Sequence, residues 1–439
     1  MSEKPGNHSR KRGDGSGRRV LQVLFTLFVI CVAAVVVYAL KVGVAVPSSN
    51  VGTVQARATE PAPTTEEPTE PTTQTGEPTT QTEEPTEETE PEDPVLAKAE
   101  AALASMTAEE KVYQLFYVSV EDLSGVYGQQ TADDALRSAL QAMPVGGVVI
   151  DRQNVSGTAQ VSALASGLQE ASRLPLLMGV EEEDGFNSAL NGIGATAIYD
   201  QMMVYGDEYD TQRVYEIGQE IGTAISALGI HMDFAPVADT LTNIFNMEVG
   251  RRAFSTDTSV VTAMVPQEVS GLHDGGALSC IKYFPGLGST DGDSRYGAIS
   301  SERTLEDLRA VEFTGFRAGI DAGAELVMVA HLSFPNVTGD NTPASQSSYF
   351  VTDLLRGELG FRGVIITDSQ QKGAIAYIYD AEAAVQALQA GCDMIYRPED
   401  LPAAAQAVLD ALENGDLTQE RIDESVLRIL ILKYGAGLE

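Results

Sequence analysis

Residues 278–295 read LSCIKYFPGLGSTDGDSR. The run from Leu278 to Phe284 is apolar or β-favouring almost throughout, and it stops at Pro285, where a loop of glycines and small polar residues begins. A strand covered on both faces reads this way, and the loop at its exit is a natural place for function. Lys282 stands near the end of the run, and Asp291, Asp293 and Arg295 stand in the loop. Parallel α/β enzymes build their sites from charged side chains held at such strand exits.

Comparable short runs recur at 113–118, 147–150, 174–180, 232–238, 326–330, 364–367 and 392–396. Most are apolar throughout rather than alternating, as strands buried on both faces are. Helical patterns separate them. Thr107-x-x-Glu110 and Thr304-x-x-Asp307 read as capping signatures, and 381–390 and 421–433 carry apolar residues at helical spacing. Eight strands alternating with helices predict an α/β fold of the (β/α)8 TIM-type barrel class. A doubly wound open sheet is the alternative, but it would bring a Gly-rich phosphate turn after an early strand, and the sequence has none. In a barrel, function collects where strands end, here at 181–184, Asp239, 282–295, His331 and Asp368.

Three segments precede this domain. Residues 1–19 carry Lys4, Arg10, Lys11, Arg12, Arg18 and Arg19 against only Glu3 and Asp14, a basic tail expected to stay in the cytoplasm. Residues 20–40 contain no charge, and as a helix they would span roughly 30 Å, the thickness of a bilayer's hydrocarbon core. They predict a single-pass anchor in the cell membrane with the following domain extracellular. A cleaved signal peptide is the rival reading, although its apolar region would normally run about 7–15 residues. Residues 46–94 are dominated by Pro, Thr, Gln and Glu, with twelve acids from Glu60 to Asp93. With so little to bury, that segment is expected to be a disordered, extended tether.

The formal net charge is −35, and the 8 basic and 14 acidic residues before position 95 leave −29 on residues 95–439. So acidic a domain argues against nucleic acid as a partner and against docking on anionic lipid. The three cysteines suggest no disulfide framework: Cys31 falls in the apolar 20–40 run, and Cys280 and Cys392 sit in strand-like runs as small core residues. No cysteine–histidine spacing suggests zinc, and neither a metal nor a cofactor is expected.

The 278–295 stretch resembles the K-H-F-P-G-H-G-x-x-x-x-D-S-H loop of family 3 glycoside hydrolases of the bacterial β-N-acetylhexosaminidase type. GFRGVIITD, ending on Asp368, is similar to that family's G-F-x-G-V-I-x-[ST]-D segment. MTAEEKVYQLF, MDFAPVADTLTN, VGRRAFSTD, LVMVAHLSFP, LLRGELGF, AGCDMIYRPED and RIDESVLRIL resemble further family segments, in the family's order. The likeness covers nearly all of residues 95–439.

The resemblance implies roles for particular residues. Asp368 takes the place of the nucleophile that attacks the anomeric carbon, a task a carboxylate suits because it forms a glycosyl ester that water later hydrolyses. Arg252 and Lys282 match positions that bind sugar hydroxyls or the N-acetyl group, and His331 matches a histidine at the rim. Glu181 stands where a carboxylate grips two sugar hydroxyls. The chain departs from the pattern at Tyr283, Leu287 and Arg295, each in place of a histidine, and at Phe186, in place of an arginine. The histidine replaced by Arg295 is the family's acid/base, paired with the aspartate at Asp293. An arginine does not exchange protons near neutrality, and loss of a general acid costs about 10²–10⁴ in rate. Asp293 itself, or one of Glu181, Glu182 and Glu183, is the stand-in if its neighbours raise its pKa. Arg295 beside Asp293 works the other way.

Two readings follow. The first is a retaining exo-glycosidase acting on terminal β-linked N-acetylhexosamine in cell-wall or other glycans, with Asp368 and Asp293 catalytic and Glu181, Arg252, Lys282, Tyr283, His331 and Arg295 binding the sugar. The second is a catalytically weak or inactive glycan-binding relative tethered at the cell surface. Either takes an amino-sugar glycan as its partner, and a monomer is expected.

Overall fold

A computed structural model describes residues 93–376 and 381–439. Eight parallel strands form the centre: β1 (Phe116–Ser119), β2 (Gly147–Val149), β3 (Leu177–Val180), β4 (Met232–Asp233), β5 (Leu278–Phe284), β6 (Leu326–Val329), β7 (Val364–Thr367) and β8 (Ile395–Tyr396). Neighbours in sequence are neighbours in the sheet, and β8 also pairs with β1, placing Phe116 opposite Ile395. One parallel bridge between Ile366 and Met394 joins β7 to β8. The sheet is therefore a nearly closed barrel of the TIM type, with helices between its strands. Every residue of β1, β2, β3, β6 and β7 is buried, which explains apolar runs without alternation.

Several strands are shorter than their apolar runs. Thr107 and Glu110 form a reciprocal capping box that starts the helix Ala108–Gln114, and this helix takes up the first residues of the 113–118 run. The 232–238 run pairs only at Met232 and Asp233, with one further bridge at Val237, because Pro236 has no amide to offer the ladder. Phe234, Val237 and Ala238 remain buried nonetheless. A small pairing of Ile299–Ser300 with Leu332–Ser333 was not legible in the sequence; it zips the loop after β5 to the loop after β6.

The barrel interior holds an aromatic cluster. Tyr117 meets Phe234 edge-on at 5.3 Å between ring centroids, and Phe234 meets Tyr396 at 4.9 Å. Gly147 and Gly179 make room for this cluster, since a Cβ at either would lie 2.3 Å from Tyr117.

The tail at 1–19, the apolar run at 20–40 and the tether up to residue 92 lie outside the described residues. Among the described residues, no helix is long and apolar enough to cross a membrane.

Candidate active site

Charged side chains gather at the C-terminal mouth of the barrel. Glu181 and Glu183 follow β3, Lys282 and Tyr283 lie at the end of β5, His331 follows β6 and Asp368 follows β7. The long segment after β4 adds Glu248 and Arg252, and Asp239 on that segment secures the β5 exit. Its carboxylate accepts from the amides of Tyr283 (3.1 Å) and Gly288 (2.9 Å). Burial raises Asp239 to about 7, with Glu312 nearby adding like-charge repulsion. Gly286 passes this pair at φ +133°, where a Cβ would sit 2.5 Å from Glu312. Only glycine adopts that conformation without strain.

Glu183 organises the floor of the mouth. It accepts from Arg252 Nε at 2.7 Å and from Arg252 Nη2, and Lys282 Nζ lies 2.6 Å from its Oε1. Burial alone would raise the Glu183 carboxyl, but the two cations overcome it and hold it at about 2. Burial likewise opposes the charge on Lys282, and the carboxylates of Glu181 and Glu183 more than compensate. Glu181 is half exposed and stands 3.6 Å from Lys282 Nζ, so it faces the open mouth.

Tyr283 is enclosed by three cations. Arg252, Lys282 and Lys372 lie 5.4, 5.5 and 5.3 Å from its ring centroid, and its hydroxyl accepts from Arg252 Nη2 at 2.8 Å. A tyrosine ring in this position offers a cation-attracting face, where an imidazole would itself tend to charge.

Asp368 is 3% exposed at the mouth. Its Oδ1 accepts from the Ser369 amide at 2.7 Å and its Oδ2 from Lys372 Nζ at 2.6 Å. Burial would raise its pKa, but Lys372 leads the effects that bring it below the ordinary carboxylate value, so the group is ionised at neutral pH. Lys372 also donates to Glu248 Oε1 at 2.8 Å. Glu248 in turn accepts from the Ser294 amide at 2.8 Å and from the Ser294 hydroxyl. A chain of contacts thus runs from Asp368 through Lys372 and Glu248 to the β5 loop. The loop is held from the other side as well, because Ala374 and Gly373 donate their amides to the carbonyls of Ser294 and Arg295.

His331 sits beneath Asp368 rather than at the rim, and it differs here from the sugar-binding expectation. Its Nε2–H donates to the backbone carbonyls of Asp368 (3.0 Å) and Ser369 (3.1 Å), while Nδ1 accepts from the Ser345 hydroxyl at 2.7 Å. Both ring nitrogens are occupied by protein, and burial lowers its pKa to about 4. It is a neutral strut under the 368–369 backbone.

Three of the carboxylates considered as stand-in acids, Asp293, Glu182 and Glu183, are poorly placed to carry a proton to a sugar at the mouth. Arg295 clasps Asp293 through Nε at 2.8 Å and Nη2 at 2.5 Å, which lowers its pKa. Glu182 turns away from the mouth, accepting from the amides of Ala189 and Leu190 and the hydroxyls of Ser188 and Thr196. Glu183 is held ionised by its two cations.

Three residues of the mouth were missed in the sequence. Lys372 follows Asp368 by four positions, a spacing that hints at an ion pair on one helical face. Glu248 lies deep in a loop with no local signal. Arg152, from the loop after β2, reaches the side where Phe186 replaces an arginine, and donates to the carbonyls of Phe186 (2.9 Å) and Ser188 (2.6 Å). These loops border a cavity of about 260 Å3 lined by Asp151, Arg152, Glu181, Phe186 and Asn187. Among the described residues, no cluster of three or more histidine, cysteine or acidic side chains is arranged to hold a metal ion.

The family pattern described as "Glycosyl hydrolase family 3 N terminal domain" matches residues 107–432. A β-hexosaminidase from Xylella fastidiosa is 34% identical over 288 residues, covering 63% of this chain and 83% of the relative. The solved structure of a glycoside hydrolase family 3 β-N-acetylglucosaminidase from Paenibacillus sp. str. FPU-7 superposes with a TM-score of 0.72 at 35% identity. That match covers 76% of this chain and 63% of the other, so the chain spans less than two thirds of that protein. A β-N-acetylhexosaminidase from Beutenbergia cavernae superposes with a TM-score of 0.68 at 27% identity, covering 76% of this chain and 100% of the other.

Proposed function

This chain belongs to glycosyl hydrolase family 3, and on that premise we propose that it is a retaining exo-glycosidase releasing terminal β-linked N-acetylhexosamine from cell-wall or other glycans. The observation that carries this reading is Asp368, an ionised carboxylate at the exit of a barrel strand, aligned by an amide and an ammonium group. In the proposed reaction it attacks the anomeric carbon and forms a glycosyl ester, which water then hydrolyses with net retention. Lys372 limits the charge on the nucleophile, and His331 fixes the backbone that carries it. Glu181 accepts hydroxyls of the sugar, beside Lys282, Arg252 and the face of Tyr283. Asp293 anchors Arg295, whose half-exposed guanidinium is free to meet outer hydroxyls of the glycan.

The test is hydrolysis of an activated aryl N-acetyl-β-glucosaminide followed by NMR. The expected result is release of the aryl alcohol with the β-anomer of the sugar as first product. Release of the α-anomer would overturn the retaining mechanism. Binding of chitooligosaccharide without any turnover would favour the tethered glycan-binding reading, in which Asp293 and Arg295 serve only as a contact.

The proposed setting is the outer face of the cell membrane, with residues 20–40 as anchor and 46–94 as spacer. Its support is the 21-residue uncharged run behind a basic tail. Protease added to intact cells is expected to cut within 46–94 and free the catalytic domain whole. Protection in intact cells with cleavage after lysis would place the domain on the other side.

A further inference from the structure

The cavity of about 260 Å3 at the exits of β2 and β3 has no part in the chemistry above. Asp151, Arg152, Glu181, Phe186 and Asn187 are among its walls, whereas Asp368, Lys282, Tyr283 and Arg252 are not. Glu181 alone of the proposed sugar ligands borders both this cavity and the mouth. We propose that the cavity is a subsite for a second, neutral pyranose, joined to the non-reducing side of the sugar that Asp368 attacks, so that the protein also releases a disaccharide in one step. The inference rests on the proposed roles of Asp368 as nucleophile and Glu181 as acceptor of sugar hydroxyls.

Position in the barrel is the first support. β3 and β7 stand four strands apart in a ring of eight, so the exits that carry Glu181 and Asp368 lie on opposite sides of the mouth. A sugar with its anomeric carbon at Asp368 and its far hydroxyls at Glu181 ends against the cavity, whose other wall is the loop after β2. A substituent on those hydroxyls enters it, while a leaving group departs from the Asp368 side. The volume falls below the roughly 300–1,000 Å3 of pockets that take a whole drug-sized ligand, so it suits one ring rather than a chain.

The wall itself is the second support. Asp184 Oδ1 accepts from the amides of Phe186 (2.8 Å) and Asn187 (2.9 Å), and Glu182 bridges Ser188 across the turn. Arg152 braces the same turn through the carbonyls of Phe186 and Ser188. The turn is therefore ordered by its own contacts, yet it carries the Phe186 ring at 78% exposure. A ring held ready in this way loses little entropy on engaging a ligand. Its face suits the apolar face of a pyranose, and Arg152, Gln153, Asn187 and Glu181 around it suit the hydroxyl edge. Asp151 and Glu181 outnumber Arg152 on the wall, which disfavours an acidic substituent.

The chemistry stays that of the proposed reaction. Asp368 bonds to the anomeric carbon of the inner sugar as the bond to the leaving oxygen breaks, and that oxygen keeps the bonding electrons and takes a proton from solvent. Water then bonds to the same carbon through its oxygen, gives a proton to solvent and frees the Asp368 carboxylate. The two rings leave still joined.

The test compares aryl β-glycosides of N-acetylglucosamine and of N,N′-diacetylchitobiose, with the first products identified by chromatography. The expected first products from the second substrate are the aryl alcohol and intact diacetylchitobiose. N-acetylglucosamine and its aryl glycoside, formed without any disaccharide, would overturn the proposal. Phe186→Ala is expected to lower kcat/KM on the disaccharide substrate relative to the monosaccharide one by about tenfold, and Phe186→Tyr, which keeps the ring, to hold the ratio. A ratio unmoved by Phe186→Ala overturns the assignment. Binding is read separately by calorimetry on Asp368→Asn, where diacetylchitobiose is expected to bind about tenfold more tightly than N-acetylglucosamine. If wild type turns over neither glycoside while that preference holds, the nucleophile reading falls and the subsite stands. Equal affinities end the subsite whatever the catalysis does.

Discussion

Asp368→Asn is expected to lower kcat/KM on an activated aryl glycoside by about 10³ or more, with thermal stability close to wild type. The reason is chemical. An amide oxygen can still accept from the Ser369 amide, but the amide NH2 then meets the Lys372 ammonium donor to donor, and an amide does not form the glycosyl ester. Lys372 keeps Glu248 as its counter-charge in the variant, which spares the mouth an unpaired buried cation. Mass spectrometry after reaction with a 2-deoxy-2-fluoro glycoside is expected to place the label on Asp368 in wild type. A label retained by Asp368→Asn would move the nucleophile elsewhere, and normal turnover in the variant would end the proposal.

Glu183→Gln is expected to be among the most destabilising single changes in the mouth. It strips the charge shared by Lys282, which is fully buried, and Arg252, which is partly so, and a buried ion pair that loses one partner costs about 3–5 kcal/mol. A fall in Tm of about 10 °C follows for a domain of this size. The pH dependence supplies the sharper readout. The Glu183 carboxyl stands at about 2 in the folded protein against an ordinary 4.5. A depressed folded-state value means that its contribution is complete above pH 4.5 and drains away as pH falls from 4.5 toward 2. Wild type is therefore expected to lose its advantage over Glu183→Gln across that window in Tm measurements. Curves that run parallel from pH 5 to pH 2 would remove Glu183 from the account, since the difference would then owe nothing to its ionisation.

Much of the mouth was readable in advance because its residues sit at the ends of apolar runs. Lys282 and Asp368 were found this way, and both stand at the C-terminal ends of barrel strands. The capping boxes at Thr107 and Thr304 were equally readable, since each closes within four residues through local hydrogen bonds. The runs overstated strand length because burial and pairing are different properties. Phe234 and Val237 are buried as strongly as any strand residue, yet a proline between them interrupts the ladder.

The partners of those residues were not readable. Arg252 and Lys282 were each placed at the sugar site, but not their shared partner Glu183, which lies 69 positions before Arg252 and 99 before Lys282. His331 shows the same limit, for a histidine just past a strand end can face the cavity or support a neighbour, and only its contacts with Asp368, Ser369 and Ser345 distinguish the two. Glu248 is the extreme case. It meets Lys372 across 124 residues and Ser294 across 46, and nothing in its own segment marks it.

The amino-acid sequence by itself determined the family, the repeating strand-and-helix order and thus the barrel, because periodicity and capping act over a few residues. Tertiary structure alone decided which carboxylates hold cations, which cation sits on Asp368 and which acid lies close enough to share it. Those depend on loops from different strands meeting where the sheet curves round on itself, and the electrostatics of a buried group are set by what it meets in space rather than along the chain.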